Sequence, residues 1–289
     1  MIILDMPAQN RSKIKKALDR FYVEYDFRER LTHDPIEFPR RYSDPRDIEA
    51  AGFIAASLAY GKVGLFKPVI EKVLEPCGKH PAEFIVNFSM KRDAGYLKGI
   101  SYRFNREEDI VCLLYMMGRA LKEWGTLRKL FSHFYKDEDK DIRKALTGFA
   151  DHLYEIDTSP VYGTDIRPKG LKQLLPSPGK GSACKRMNLF LRWMVRSGDI
   201  DFGIWDNIPP HKLIIPLDTH IARISKCLGL TQRASADWKM AAEITGSLRE
   251  FDPVDPLKYD FALCHHGISG MCKGKKDESA CRECTLRCF

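Results

Sequence analysis

Apolar residues recur along this chain at helical spacing almost throughout. Ile110, Leu113, Leu114, Met117, Ala120 and Leu121 fall on one face at a period of 3.6 residues. So do Phe66, Ile70, Val73 and Leu74, and again Ile142, Ala145, Leu146, Phe149 and Leu153. The same pattern predicts helices near 11–25, 47–60, 185–196, 219–229, 235–250 and 256–266. No convincing run alternates apolar and polar residues as a half-buried strand does, so the fold class is all-α. Breakers separate the helices: His33-Asp34-Pro35, Asp44-Pro45, the glycines of a loop at 93–107, and Pro209-Pro210 within an irregular stretch at 197–212. The stretch 156–183 is the richest in turn formers and holds Pro176-Ser177-Pro178-Gly179-Lys180-Gly181. There is no internal repeat and no low-complexity tract.

Composition narrows the classes. Hydrophobic residues make up 44% of 289, enough to fold by burial alone. No apolar stretch approaches the roughly 20 residues of a membrane helix. The first residues put a very short apolar run before the charges, the reverse of a secretion signal, so a cytoplasmic protein is expected. The formal net charge of +8 favours a polyanionic partner through counterion release, although a solvated basic surface has the same charge.

The nine cysteines crowd toward the end. An odd number without a secretion signal argues against a disulfide framework. Cys272, Cys281, Cys284 and Cys288 follow a C-x8-C-x2-C-x3-C spacing. Four thiolates so close can wrap one metal or cluster, and sulfur donors select zinc or iron–sulfur. Cys264, just upstream, reads as a core residue of its helix, with a spare ligand as the alternative; His265 and His266 keep a mixed Cys/His site open. Lys273, Lys275 and Lys276 lie between the first two cysteines. A metal-held loop there would present ammonium groups to phosphates, and a solvated charge run is the plainer reading.

The most informative segment is Pro216-Leu217-Asp218-Thr219-His220-Ile221-Ala222-Arg223-Ile224, followed by Leu228-Gly229-Leu230. An apolar run delivers Asp218 to the first turn of a helix, where it can cap backbone amides. A capped carboxylate stays ionised and can stabilise positive charge developing on a sugar. This segment resembles the aspartate motif of the helix–hairpin–helix DNA glycosylase superfamily, endonuclease III-like in type. The cysteine tail, which follows a helix ending at Gly267, resembles the same superfamily's C-terminal [4Fe–4S] segment, with zinc as the alternative occupant. Along most of its length the chain also resembles an uncharacterised bacterial family with these motifs, which supplies no activity.

The superfamily resemblance implies further roles. Leu175-Pro176-Ser177-Pro178-Gly179-Lys180-Gly181-Ser182 stands where the phosphate-gripping hairpin is expected, with Ser177 in place of its first glycine and about two extra residues. Gly179 and Gly181 would supply close approach and positive φ. Lys185, heading the helix that follows, is the candidate nucleophile for sugar C1′, with Lys180 as fallback and Arg186 as a cationic neighbour that would lower its proton affinity. Tyr60 lies beside the position of a gap-filling glutamine and reads either as a base-stacking wedge or as a core tyrosine with a bonded hydroxyl. The excess chain at 197–212 reads as surface decoration, with Trp205 packing locally. Two helical lobes follow, 45–180 and 1–44 plus 181–263, with 264–289 as the cysteine segment and a cleft holding Lys185 and Asp218. The implied activity is excision of a damaged or mismatched base from double-stranded DNA, with lyase activity, by a monomer. The alternative is a nucleic-acid-binding protein of the same fold without catalysis.

Overall fold

Apolar stripes become helices here, and neighbouring carboxylates set several of their ends. The computed structural model describes residues 7–270 together with Cys272, Cys281, Cys284 and Leu286. Among the described residues the fold is all-α, with thirteen α-helices, short 3-10 turns and one two-stranded hairpin. Helix α1 (Ala8–Glu24) opens the chain. Eight follow: α2 (Pro45–Leu58), α3 (Val63–Leu74), α4 (Pro81–Val86), α5 (Glu107–Trp124), α6 (Leu127–Phe134), α7 (Arg143–Glu155), α8 (Ser159–Tyr162) and α9 (Lys169–Leu174). The rest is α10 (Lys185–Val195), the antiparallel pair β1 (Ser197–Gly198) and β2 (Asp201–Phe202), α11 (Thr219–Leu228), α12 (Trp238–Arg249) and α13 (Asp260–Ile268). No helix among the described residues is long and apolar enough to cross a membrane.

The chain divides into two units, Leu31–Lys180 and Met1–Arg30 with Gly181–Phe289. The second boundary, 180/181, coincides with the one read from sequence. The first does not fall at 44/45, because the turns Pro35–Glu37 and Pro39–Arg41 bury Ile36 and Phe38 and pack on α2. That burial ties residues 31–44 to the helices that follow them.

Within Leu31–Lys180, α2 is the central helix and is buried from Asp47 to Leu58. Two of its buried residues are acidic, and each is satisfied by a helix N-terminus. Asp47 accepts from Ala82 N at the start of α4 (2.9 Å), and Glu49 accepts from Leu127 N (2.6 Å) and Arg128 N (2.9 Å) at the start of α6. The positive ends of α4 and α6 dipoles thus meet carboxylates inside the core.

In the other unit, α1 buries Ile14, Ala17, Leu18 and Phe21, and α10 is buried from Arg186 to Val195. The stretch 197–212 is not surface decoration. Ile200, Trp205 and Ile208 are buried, and Trp205 does pack locally, meeting Phe190 edge-to-face at 5.4 Å. Asp201, on β2, is buried with Arg192 and Arg196 of α10's C-terminal end. Two short strands form where the sequence offers no alternation, since a two-residue pair is too brief to show a period.

Candidate active site

Asp218 occupies the N-cap of α11 with extended backbone (φ −118°, ψ −174°). Its Oδ1 accepts from His220 N and Ile221 N, both at 2.9 Å. That geometry uses one carboxylate oxygen for the cap and leaves Oδ2 facing other groups. Two groups approach Oδ2. Lys185 Nζ lies 4.0 Å away, and the Cys264 thiol donates to it at 3.5 Å. The Lys185 and Asp218 side chains are 32% and 19% exposed, so the pair is accessible without being fully solvated.

Lys185 is the first residue of α10, and the residue before it carries strain. Cys184 has φ 48° and ψ 37°, a left-handed conformation that non-glycine residues rarely adopt. Ser182 and Asn188 hold it there. The Cys184 amide donates to Ser182 Oγ, and Asn188 Nδ2 donates to the Ala183 carbonyl. Burial pushes the Cys184 thiol up to about 12, which keeps it neutral beside Lys185. Arg186, the expected cationic neighbour, is buried.

Helix α13 reaches Asp218 because α11 docks it closely. A Cβ on Gly267 would sit 2.6 Å from His220 Cβ and 3.2 Å from Ile224 Cδ1, so only glycine allows this approach. Arg223 Nη2 donates to the Gly267 carbonyl at 2.8 Å, at the negative end of the α13 dipole. The histidine and arginine of the Asp218 segment therefore pack α13 against α11. Cys264, three residues before Gly267, is carried to the carboxylate on the same face. It is half-buried rather than a core residue.

A buried ion network fixes the far half of α10. Arg192 Nη1 donates to Asp260 Oδ2 at 2.5 Å, and its Nε lies 3.3 Å from Asp201 Oδ1. Arg196 pairs with Asp201, Asp199 and Asp255. Burial works against its charge, but these carboxylates outweigh it and hold the guanidinium protonated. Burial pushes the Asp260 carboxyl up to about 6. Arg192 opposes that rise, and the nearby Asp218 and Asp201 charges add to it. Sequence reasoning gave no site role to Arg192, Asp201 or Asp260 and did not place Cys264 against Asp218. The available signal was the helical spacing of Asp260, Cys264 and Gly267 on one face of α13.

The hairpin residues adopt a shape different from the expected one. Gly181 has φ +80°, as anticipated, but Gly179 lies in the 3-10 turn Pro178–Lys180 without positive φ. Its missing Cβ instead makes room for Thr147 Cγ2, which a Cβ would meet at 3.0 Å. Lys180 Nζ lies 5.2 Å from the Tyr154 ring centroid. In the same unit, Tyr60 is half-buried and tied down. Its hydroxyl donates to the Tyr102 carbonyl (2.8 Å) and lies 2.5 Å from Asn105 Oδ1. Phe104, an exposed aromatic, lies beside Arg103, whose φ is +51°. A surface depression of about 290 Å³ in this unit, lined by Asp44, Asp47, His80 and Glu83 among others, holds none of the sequence-predicted site residues.

Of the cysteine tail, Cys272, Cys281 and Cys284 are described, half-buried and outside any disulfide. Burial raises the Cys284 thiol, and the backbone at Leu286 opposes the rise. His266 Nε2 lies 3.8 Å from Cys284 Sγ. Among the described residues, no group of three or more His, Cys, Asp or Glu side chains is close enough to hold a metal ion. The donor chemistry suits zinc or iron–sulfur. Cys288, Lys273, Lys275 and Lys276 lie outside the described residues.

A family model described as a protein of unknown function (DUF2400) matches residues 34–269. No curated protein and no solved structure matches the chain.

Proposed function

The chain belongs to the DUF2400 family of proteins of unknown function, and we propose that it is a DNA base-excision glycosylase with lyase activity, built on a helix–hairpin–helix scaffold. One observation carries this reading: Lys185 Nζ approaches Asp218 Oδ2 to 4.0 Å, each residue heading or capping a helix and each reachable from solvent. A nucleophilic amine beside a helix-capped carboxylate is a suitable pair for chemistry at a sugar carbon.

In the proposed reaction a target base is flipped out of the duplex, since stacking hides the glycosidic bond. The neutral amine of Lys185 forms a bond to C1′ as the base departs with the glycosidic electron pair and takes up a proton. Asp218, held at the N-cap of α11 by two helix amides, stabilises the cationic sugar in the transition state. The closed-ring adduct then opens: the C1′–O4′ bond breaks, O4′ takes the proton given up by the amine, and the Schiff base so formed acidifies the C2′ hydrogen, so its loss to a base expels the 3′ phosphate and cuts the strand.

Cys272, Cys281, Cys284 and Cys288 would hold a [4Fe–4S] cluster or, alternatively, zinc. When bound, that group would serve structurally, clasping the segment that carries Lys273, Lys275 and Lys276 for phosphate contact. Anaerobically purified protein that is brown and contains iron and acid-labile sulfide supports the cluster; colourless protein with stoichiometric zinc replaces it.

Borohydride trapping tests the main reading. Duplexes with an abasic site or an oxidised or mismatched base should yield a covalent adduct with the wild-type protein and none with Lys185→Ala. The departure of Gly179 from positive φ favours a second reading, a DNA-binding protein that has lost excision. DNA binding without an adduct on any substrate would favour that one.

A further inference from the structure

Asp218 has two carboxylate oxygens with different duties. Oδ1 is fully engaged by the amides of His220 and Ile221. Oδ2 faces two donors of unequal strength, the Cys264 thiol at 3.5 Å and the Lys185 ammonium at 4.0 Å. A thiol is a weak donor and an ammonium a strong one. On electrostatics alone the ammonium should win and close to a tight contact of about 2.8 Å, yet it stands off at the edge of ion-pair range.

We propose that Cys264 is a positioning residue of this site: its thiol holds Asp218 Oδ2 and keeps Lys185 from locking into a tight ion pair with that carboxylate. This rests on the reading of Lys185 and Asp218 as the reactive pair. A tight pair would hold Lys185 protonated and its nitrogen lone pair unavailable. A weak thiol donor on Oδ2 takes up part of the carboxylate's hydrogen-bonding capacity. The amine then stays beside the carboxylate without being locked onto one of its oxygens. The thiol is itself rigidly placed. It lies one helical turn after Asp260, which Arg192 clamps to α10, and three residues before Gly267, which α11 grips through His220 and Arg223. Both ends of this turn of α13 are thereby fixed to the helices that carry Lys185 and Asp218.

The chemical reactivity of Lys185 tests this without DNA. Full-length protein is treated briefly with N-hydroxysuccinimidyl acetate at fixed pH, and acylation at each lysine is followed by peptide mass spectrometry. Cys264→Ala should slow Lys185 acylation about threefold, the effect of one partly exposed ion pair, while other lysines keep their rates. Cys264→Ser, which restores a donor, should recover the wild-type rate. Equal rates in Cys264→Ala and wild type, or a serine variant that behaves like alanine, would overturn the proposal. Should Cys264→Ala fail to fold, the converse measurement stands in. Carbamidomethylation of Cys264 should accelerate roughly threefold in Asp218→Asn, because the neighbouring negative charge that opposes a thiolate is gone. An unchanged rate would overturn it. None of these rates depends on base excision, so an absent borohydride adduct would refute the enzyme reading and leave this coupling to stand or fall separately.

Discussion

Replacing Arg192 with methionine keeps the length of the side chain and removes its charge. Arg192 pairs with Asp260 and shares Asp201 with Arg196; the side chains of Arg192, Asp201 and Asp260 are 2%, 0% and 2% exposed. Asp260 Oδ1 has no hydrogen-bond partner among the described residues, so the variant leaves that carboxyl buried and uncompensated. Breaking a buried pair in this way costs about 3–5 kcal/mol, which lowers a thermal midpoint by roughly 6–20 °C in a protein of this size. The loss should depend on pH with a definite sign. The Asp260 carboxyl is already pushed up to about 6 by burial, and losing Arg192 pushes it higher. A carboxyl raised in the folded state favours folding when protonated, so its penalty is largest at neutral pH and fades as pH falls through its folded value. Urea unfolding of Arg192→Met and wild type at about pH 7.5 and again at about pH 5 should therefore give a stability gap that narrows in acid. A gap below about 1 kcal/mol at neutral pH, or one that does not narrow, refutes the reasoning that this network is buried and charge-balanced.

Substitutions at three further positions separate structure from chemistry. Asp218→Asn keeps a side-chain oxygen for the α11 cap and should leave the unfolding midpoint nearly unchanged, whereas Asp218→Ala should cost about 1 kcal/mol in urea unfolding; both should abolish adduct formation. Gly267→Ala forces a Cβ to within 2.6 Å of His220 Cβ, and calorimetry should show about 1–3 kcal/mol of overpacking. Trp205→Ala empties a fully buried site against Phe190 and should cost about 3–5 kcal/mol by denaturant titration; a surface role for 197–212 would predict almost none.

Long helices were legible because each repeats its apolar stripe several times. Ile110 through Leu121 became α5, and Ile142 through Leu153 became most of α7. Short ones were not. Helices α8 and α9 lie in a stretch read as turns, since four to six residues are too few to display a period. Asp47 and Glu49 look like solvent-facing charges on α2 until the N-termini of α4 and α6 are known to end on them. Asp218 was readable because capping is local: the residue, its spacing to the helix and its chemistry sit within a few positions. Cys264 was not, because its meaning depends on which helix packs against Gly267, and that contact joins segments more than forty residues apart. Likewise Arg192 reads as one more cation on an amphipathic helix, and only the fold brings Asp201 and Asp260 to it. The 102–105 loop that engages the Tyr60 hydroxyl is remote from it in sequence.

The most direct test is to find which atom of the protein carries the sugar. Wild-type protein would be trapped with borohydride on a duplex bearing an abasic site, digested, and the modified peptide sequenced by mass spectrometry. The reduced sugar is expected on Lys185 and nowhere else. A stable adduct on Lys180 or another amine, with Lys185 unmodified, would contradict it.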